Sequence, residues 1–164
     1  MITISYGGSD LRDNIAKEVG RELGYECHGR EVIANASKRF GVPESKLSKV
    51  VHYGPSFFGM SVEARQRYTA YILAAAAEFL LKDNIVYHGP AAHVIGTGIS
   101  HVVKVRVIPN REIRIAYEME TNKLSRRKAI EHVERDEEER RQSIQSAYGV
   151  EDTLPELYNV IVDL

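Results

Sequence analysis

The first residues with chemical potential are Tyr6-Gly7-Gly8-Ser9-Asp10, set between the apolar run Ile2-Thr3-Ile4 and the periodic segment Leu11–Leu23. A strand, a glycine-rich turn and a helix can wrap backbone N–H groups around phosphate, and the helix N-terminus favours an anion. A working phosphate loop also needs a cation on the outer phosphate oxygens. No Lys-Ser or Lys-Thr pair closes this turn. The plainer alternative is a Gly-Gly turn in which Ser9 or Asp10 caps the helix. Further along, Arg30, His88, Arg114 and a set of arginines at 126, 127, 135, 140 and 141 are candidate anion contacts. His28, His52, His93, His101 and His132 show no metal-ligand spacing, and a lone Cys27 builds no zinc site.

Ile15, Val19 and Leu23 define one face of a helix over about 11–23, stopped by Gly24. Residues 30–41 predict a second helix ended by Gly41, and residues 42–51 a third with Pro43 near its start. Residues 53–60 form an aromatic loop. A long buried helix follows Ser61 as N-cap. Residues 84–89 and 102–109 predict two more strands, the latter nearer a sheet edge because Lys104 and Arg106 interrupt its alternation. Asn110 caps the next helix. Residues 125–149 predict a long charged helix with Ala129, Ile130, Val133, Ile144 and Ala147 as its apolar anchors, and the chain closes on a last strand. Strands separated by helices imply parallel pairing through right-handed crossovers. The expected fold is α/β: a three-layer α/β/α sandwich with a small parallel sheet and a helical lid-like segment over about 122–149. Ligands in such sheets sit beyond the carboxyl ends of the strands.

The chain has 164 residues, 43% hydrophobic and 27% charged, with a formal net charge of −1 and one cysteine. That balance fits one domain over 1–164 and argues against nucleic-acid or membrane partners. Residues 68–81 are the most apolar stretch; they carry Glu78 and are too few to span a bilayer. The lone cysteine and the charges at Arg12, Asp13 and Lys17 suit a cytoplasmic protein without a signal peptide.

In order along the chain, the motifs resemble the cytidylate kinase-like family, a branch of the P-loop nucleoside monophosphate kinases. "ITIS" at 2–5 and "NIAKEVGRELG" at 14–24 flank the place of that family's Arg-x-x-Gly-Ser-Gly-Gly-Arg loop. "CHGREVI" at 27–33 resembles its Tyr-Asp-Arg-Glu-Leu-Ile segment. "NIVYHGPA" at 84–91 has His88 where the family has the arginine of Gly-Arg-Gly. Arg114 lies in "VKVRVIPNREIRIAYEM", Arg140 in the lid-like "VERDEEERRQSIQSAYG", and "LYNVIVDL" resembles the family's ending.

The resemblance implies roles. Gly7, Gly8, Ser9, Asp10 and Arg12 fall at the ATP phosphates, Arg30 and His88 at the acceptor nucleotide, and Arg114 and Arg140 at the transferring phosphoryl group. ATP and Mg²⁺ would be the cofactors of an active enzyme. Aligned without gaps, Asp13 takes the cation position and Asn14 the position of the Mg²⁺-holding Ser or Thr; a slip of one residue puts Arg12 at the cation position instead. Either way Leu11 replaces a loop glycine. Two readings follow: a non-catalytic or weakly active module for a nucleotide or another phosphorylated small molecule, and an active CMP or dCMP kinase. For most lid arginines a solvated face is the simpler role, with i,i+4 pairs Glu137–Arg141 and Asp136–Arg140. His88 has the alternative of a neutral imidazole bonded to backbone. A homodimer or a flanking domain stays open.

Overall fold

The computed structural model describes residues 1–6, 11–52, 60–89 and 92–164. Its centre is a five-stranded, all-parallel sheet in the order β2-β3-β1-β4-β5. The strands are β1 (Ile2–Tyr6), β2 (Glu26–His28), β3 (Ile85–Tyr87), β4 (Val103–Ile108) and β5 (Val160–Asp163). The helices are α1 (Leu11–Leu23), α2 (Glu31–Phe40), α3 (Glu44–His52), α4 (Val62–Phe79), the short α5 (Ala92–Ile95), α6 (Arg111–Thr121) and α7 (Arg126–Tyr148). This is the three-layer α/β/α arrangement expected from the alternation of strand and helix patterns.

Local rules account for the helix ends. The Ser61 hydroxyl accepts from the Ala64 amide at the start of α4. Asn110 accepts from the Glu112 amide at the start of α6. Gly41 ends α2 with φ 65°, a left-handed conformation that only glycine adopts at low cost. The main core joins α2, α3 and α4 to β3 through Val32, Leu47, Val50, Ile72, Ala75 and Tyr87. A second cluster packs α1 under β1 and β4 around Ile4, Ala16, Val86 and Val107. Ile15 and Val19 pack against this cluster beside the fully buried Ala16, as their spacing suggests, while Leu23 at the end of α1 is half exposed.

Two elements differ from expectation. β4 is an interior strand, paired with β1 on one side and β5 on the other. Lys104 and Arg106 break its alternation for another reason: Arg106 is buried against Asp152, with its charge offset inside the protein. β2, at Glu26–His28, has no signal of its own, because three residues carry too little periodicity to register. It exists because β3 offers it a parallel ladder, Glu26 opposite Ile85 and His28 opposite Tyr87.

Ile72 of α4 is fully buried in the main core. Ile72→Ala should lower unfolding stability by about 2–5 kcal/mol, the range for truncating a well-packed aliphatic side chain. Urea denaturation followed by circular dichroism measures this directly.

Candidate functional site

Parallel strands place all their carboxyl ends on one edge. β1 lies between β3 and β4, with Thr3 opposite Tyr87 and Tyr6 opposite Val107. At that edge the candidate side chains fall into two groups, one beyond β2 and β3, the other beyond β4. Gly7, Gly8, Ser9 and Asp10 lie outside the described residues, as does the side chain of Arg12 on the first turn of α1.

Beyond β2 and β3, the His88 amide donates to the His28 carbonyl at 2.9 Å, extending the ladder by one residue. A Cβ on Gly29 would lie 2.4 Å from the His88 ring, and one on Gly89 would lie 2.4 Å from the Tyr87 hydroxyl. Both glycines are required by close approach, which packs the two strand ends tightly together. Glu31 accepts from the Gly29 amide at 2.7 Å. Burial pushes the Glu31 carboxyl up, but its own amide, that of Gly29 and the imidazoles of His28 and His88 outweigh this and hold it below the usual range. Arg30 is exposed at the head of α2. Glu26 bonds His28 Nε2 and Lys82 Nζ, each at 3.1 Å.

On the other side, β4, α6 and α7 border an open cleft of about 420 Å³, lined by Arg106, Arg114, Arg140 and Arg141 together with Glu134, Glu137 and Glu138. Arg114, on the second turn of α6, is 3% exposed. It bonds Glu137 of α7 and lies 3.7 Å from Asp136. Arg140 bonds Asp152, which follows α7 and is itself buried. Arg106 lies 3.8 Å from the same carboxylate and 5.5 Å from the Tyr158 ring centre. Tyr158 donates to the Asp152 carbonyl at 2.7 Å.

The expected pairs Glu137–Arg141 and Asp136–Arg140 give way to other partners, some within α7 and some beyond it. Glu137 and Asp136 turn to Arg114, Arg140 turns to Asp152, and Arg141 pairs with Glu138 one turn away. The long-range partners win because Arg114 and Asp152 are buried charges that would be costly unpaired. Arg126 and Arg127 stay on the solvated face, paired with Glu112 and Glu131. α6 and α7 are also joined by Ile115, Ala129 and Val133, and by Arg111–Glu134. The far end of α7 is seated by Ser143, whose hydroxyl donates to the Val51 carbonyl of α3 at 2.9 Å.

The structure thus brings Arg114 and Arg140 to one cavity and Arg30 and His88 to the other side of β1. Sequence reasoning missed Arg106, Asp152 and His93. A basic residue inside an otherwise valine-rich strand was the one available signal for Arg106. Tyr71 stacks on Phe40 at 4.1 Å, and His93 meets Tyr148 edge-on at 5.5 Å, so these aromatic residues have packing roles. The loop residues 53–59 lie outside the described residues.

The all-parallel sheet gathers the candidate side chains at its carboxyl edge, where ligands of such α/β folds sit. The chain matches the Cytidylate kinase-like family over residues 1–164, and it belongs to that family. No curated protein matches it. Among solved structures, an uncharacterized protein from Eubacterium ventriosum ATCC 27560 superposes with a TM-score of 0.66 at 12% identity, covering 99% of this chain and 87% of that one. A dephospho-CoA kinase from Campylobacter jejuni aligns with a TM-score of 0.42 at 12% identity, with the same coverages. Kinase-like families use ATP and Mg²⁺ in general. Among the described residues, no helix is long and apolar enough to cross a membrane.

His93, 5% exposed, ties this site to pH. Burial lowers its pKa from 6.5 to about 4, Asp152 opposes the shift, and Arg140 and Arg106 add to it. The stability this neutral imidazole carries is complete above about pH 6.5. It is lost as pH falls toward 4, at up to about 1.4 kcal/mol per unit, because only the unfolded chain takes up the proton. His93→Gln should flatten the pH dependence of stability between 6.5 and 4, as measured by urea midpoints across that range.

Proposed function

We propose that the domain binds a nucleotide or a similar phosphorylated small molecule and transfers phosphoryl groups weakly or not at all. The observation that carries this reading is the engagement of Arg114 with Glu137 and of Arg140 with Asp152. Phosphoryl transfer is accelerated by cations aimed at the charge that develops on the moving group. Here carboxylates of the chain itself hold both candidate cations. A ligand phosphate must displace Glu137, or bind beside it, before Arg114 can act.

The turn after β1 supports the same reading. Asp10 and Asp13 set two carboxylates against the single cation of Arg12, and Leu11 stands where backbone would have to approach an anion. Asn14, after the cation position, is exposed on α1. This donor set fits a Mg²⁺-bound triphosphate poorly, so no transfer step is assigned to it. Arg30 and His88 are the better-suited ligand contacts. A guanidinium at a helix start can grip a monophosphate bidentately, and His88 is held by its amide bond to the His28 carbonyl, with its ring packed against Gly29.

The purified chain should show little ATP-dependent phosphorylation of CMP or dCMP. CMP should nonetheless raise its melting temperature, since a ligand bound only to the folded state stabilises it. Arg30→Ala should weaken that binding about tenfold, equivalent to about 1.4 kcal/mol. Rapid Mg²⁺-dependent turnover abolished by Arg30→Ala would instead establish an active nucleoside monophosphate kinase.

A further inference from the structure

We propose that the aliphatic face of β4 and β5 beside α1 is where two copies of this chain associate weakly, each covering the other's open side of the sheet. That face lies across the sheet from α7 and its arginines, and its role does not rest on the phosphate-ligand reading.

Strand order leaves this face bare. In the order β2-β3-β1-β4-β5, only the step from β1 to β2 runs toward the β2 edge, and every later step runs toward β5. Right-handed crossovers then put α1 alone on one side of the sheet and the later helices on the other. α1 packs on β2 and β3, and among the described residues no helix stands over β4 and β5 on that side. The register sets Ile4 opposite Val105 and Val105 opposite Val160. Alternation therefore turns Val103, Val105, Val107, Val160 and Val162 to the side that α1 shares with Ile4. Leu164 continues the same row. Val103, Val160, Val162 and Leu164 are 36–51% exposed, and no polar residue interrupts them. Parallel strands are ordinarily buried on both faces, and a strand side that meets water ordinarily carries polar residues. β5 is also an edge of the sheet, paired only with β4, and Val160–Asp163 holds no lysine or proline to guard that edge.

A second copy is the occupant that fits. A wholly aliphatic face complements itself, as a two-fold interface requires. A two-fold axis parallel to the strands lays β4 and β5 of one copy across β5 and β4 of the other, with the two sheets about 10 Å apart. α1 stands roughly one helix diameter, about 10 Å, above the same side, so the partner's sheet comes beside α1 rather than onto it. Gly20 of α1 faces Tyr25 and Cys27 at the β2 end. That leaves Ile15 and Val19, which pack against the same cluster as Val105, on the flank nearer β4. This flank meets the open edge of the partner's β5, so one association covers both the bare face and the unguarded edge. The charges on the outer side of α1, Glu18, Arg21 and Glu22, pair with one another. They stay in water, and they offer no unpaired charge to orient the helix of a different protein on this face. Area sets the strength. Two short strands offer about 300–600 Å² a copy, so the pair buries about 600–1,200 Å², the low end for specific contacts. The dimer is therefore weak and depends on concentration.

Sedimentation velocity of the full chain tests this. Wild type should pass from monomer to dimer between about 10 and 1,000 μM, the range for contacts this small. Val160→Lys should weaken association by about tenfold or more, because it sets a charge in the middle of the face. The double variant Val160→Thr/Val162→Thr keeps the β-branched shape the strand prefers and should weaken association less. It decides the question if circular dichroism shows that Val160→Lys fails to fold. Ile161→Thr changes a residue 43% exposed on the other side of the same strand and should leave association unchanged. A wild type that stays monomeric throughout overturns the proposal. So does that result joined to fluorescence of anilinonaphthalene sulfonate on wild type but not on Val160→Lys, which gives the face to a different protein. A dimer untouched by Val160→Lys puts the interface elsewhere, and equal loss in Ile161→Thr gives a ladder between two β5 edges; each of these also overturns it.

Discussion

The parallel ladder between β1 and β4 is the constraint on which the rest of the chain depends. It runs from Ile2 opposite Val103 to Tyr6 opposite Val107. Parallel neighbours cannot be joined by a tight turn, so each connection must travel back through a helix. Those helices cover the central strands, which is why Thr3 and Ile4 are buried. The same rule sends every connection out from the carboxyl edge. With β1 in the middle, the Arg30/His88 group lies on one side of it and the Arg114/Arg140 group on the other. Candidate ligand residues that are far apart in sequence meet at that edge because the strands run one way.

α7 shows how electrostatics shape the second half of the site. Its sequence is nearly balanced in charge, and alone it would pair within itself. Folded, its acids reach across to Arg114 and its Arg140 reaches forward to Asp152. A half-exposed acid gains little from a neighbour on its own helix. It gains more from a guanidinium that has left water. The result is a helix pinned over a cavity by the residues that line it, so any anion entering the cavity meets a carboxylate already bound to one of its cations. His93, Tyr148 and Asp152 add a buried polar cluster under the same helix, and they link its seating to pH.

Much of this was legible from the chain alone. Helix boundaries at Ser61, Asn110 and Gly41 follow from caps and a left-handed glycine, which are local effects needing few neighbours. The family order was legible too, because strand, turn and helix signals recur in one sequence. Arg114 and Arg140 were visible by their spacing in that order. β2, the interior place of β4 and the partners of α7 were not. A three-residue strand has no pattern of its own, and whether β4 is central depends on β5, which follows it by some fifty residues.

The sequence by itself determined the alternation of strands and helices, the caps that end them, and which residue types stand at each strand end. Those properties are set by interactions within a few residues. Only the tertiary structure decided that Arg106 is buried, that it shares Asp152 with Arg140, and that Glu137 holds Arg114. A charge's partner is chosen by where burial makes it expensive to stand alone, and burial is a property of the whole fold. The same arginines read as a solvated helix face in one dimension and as the lining of a cavity in three.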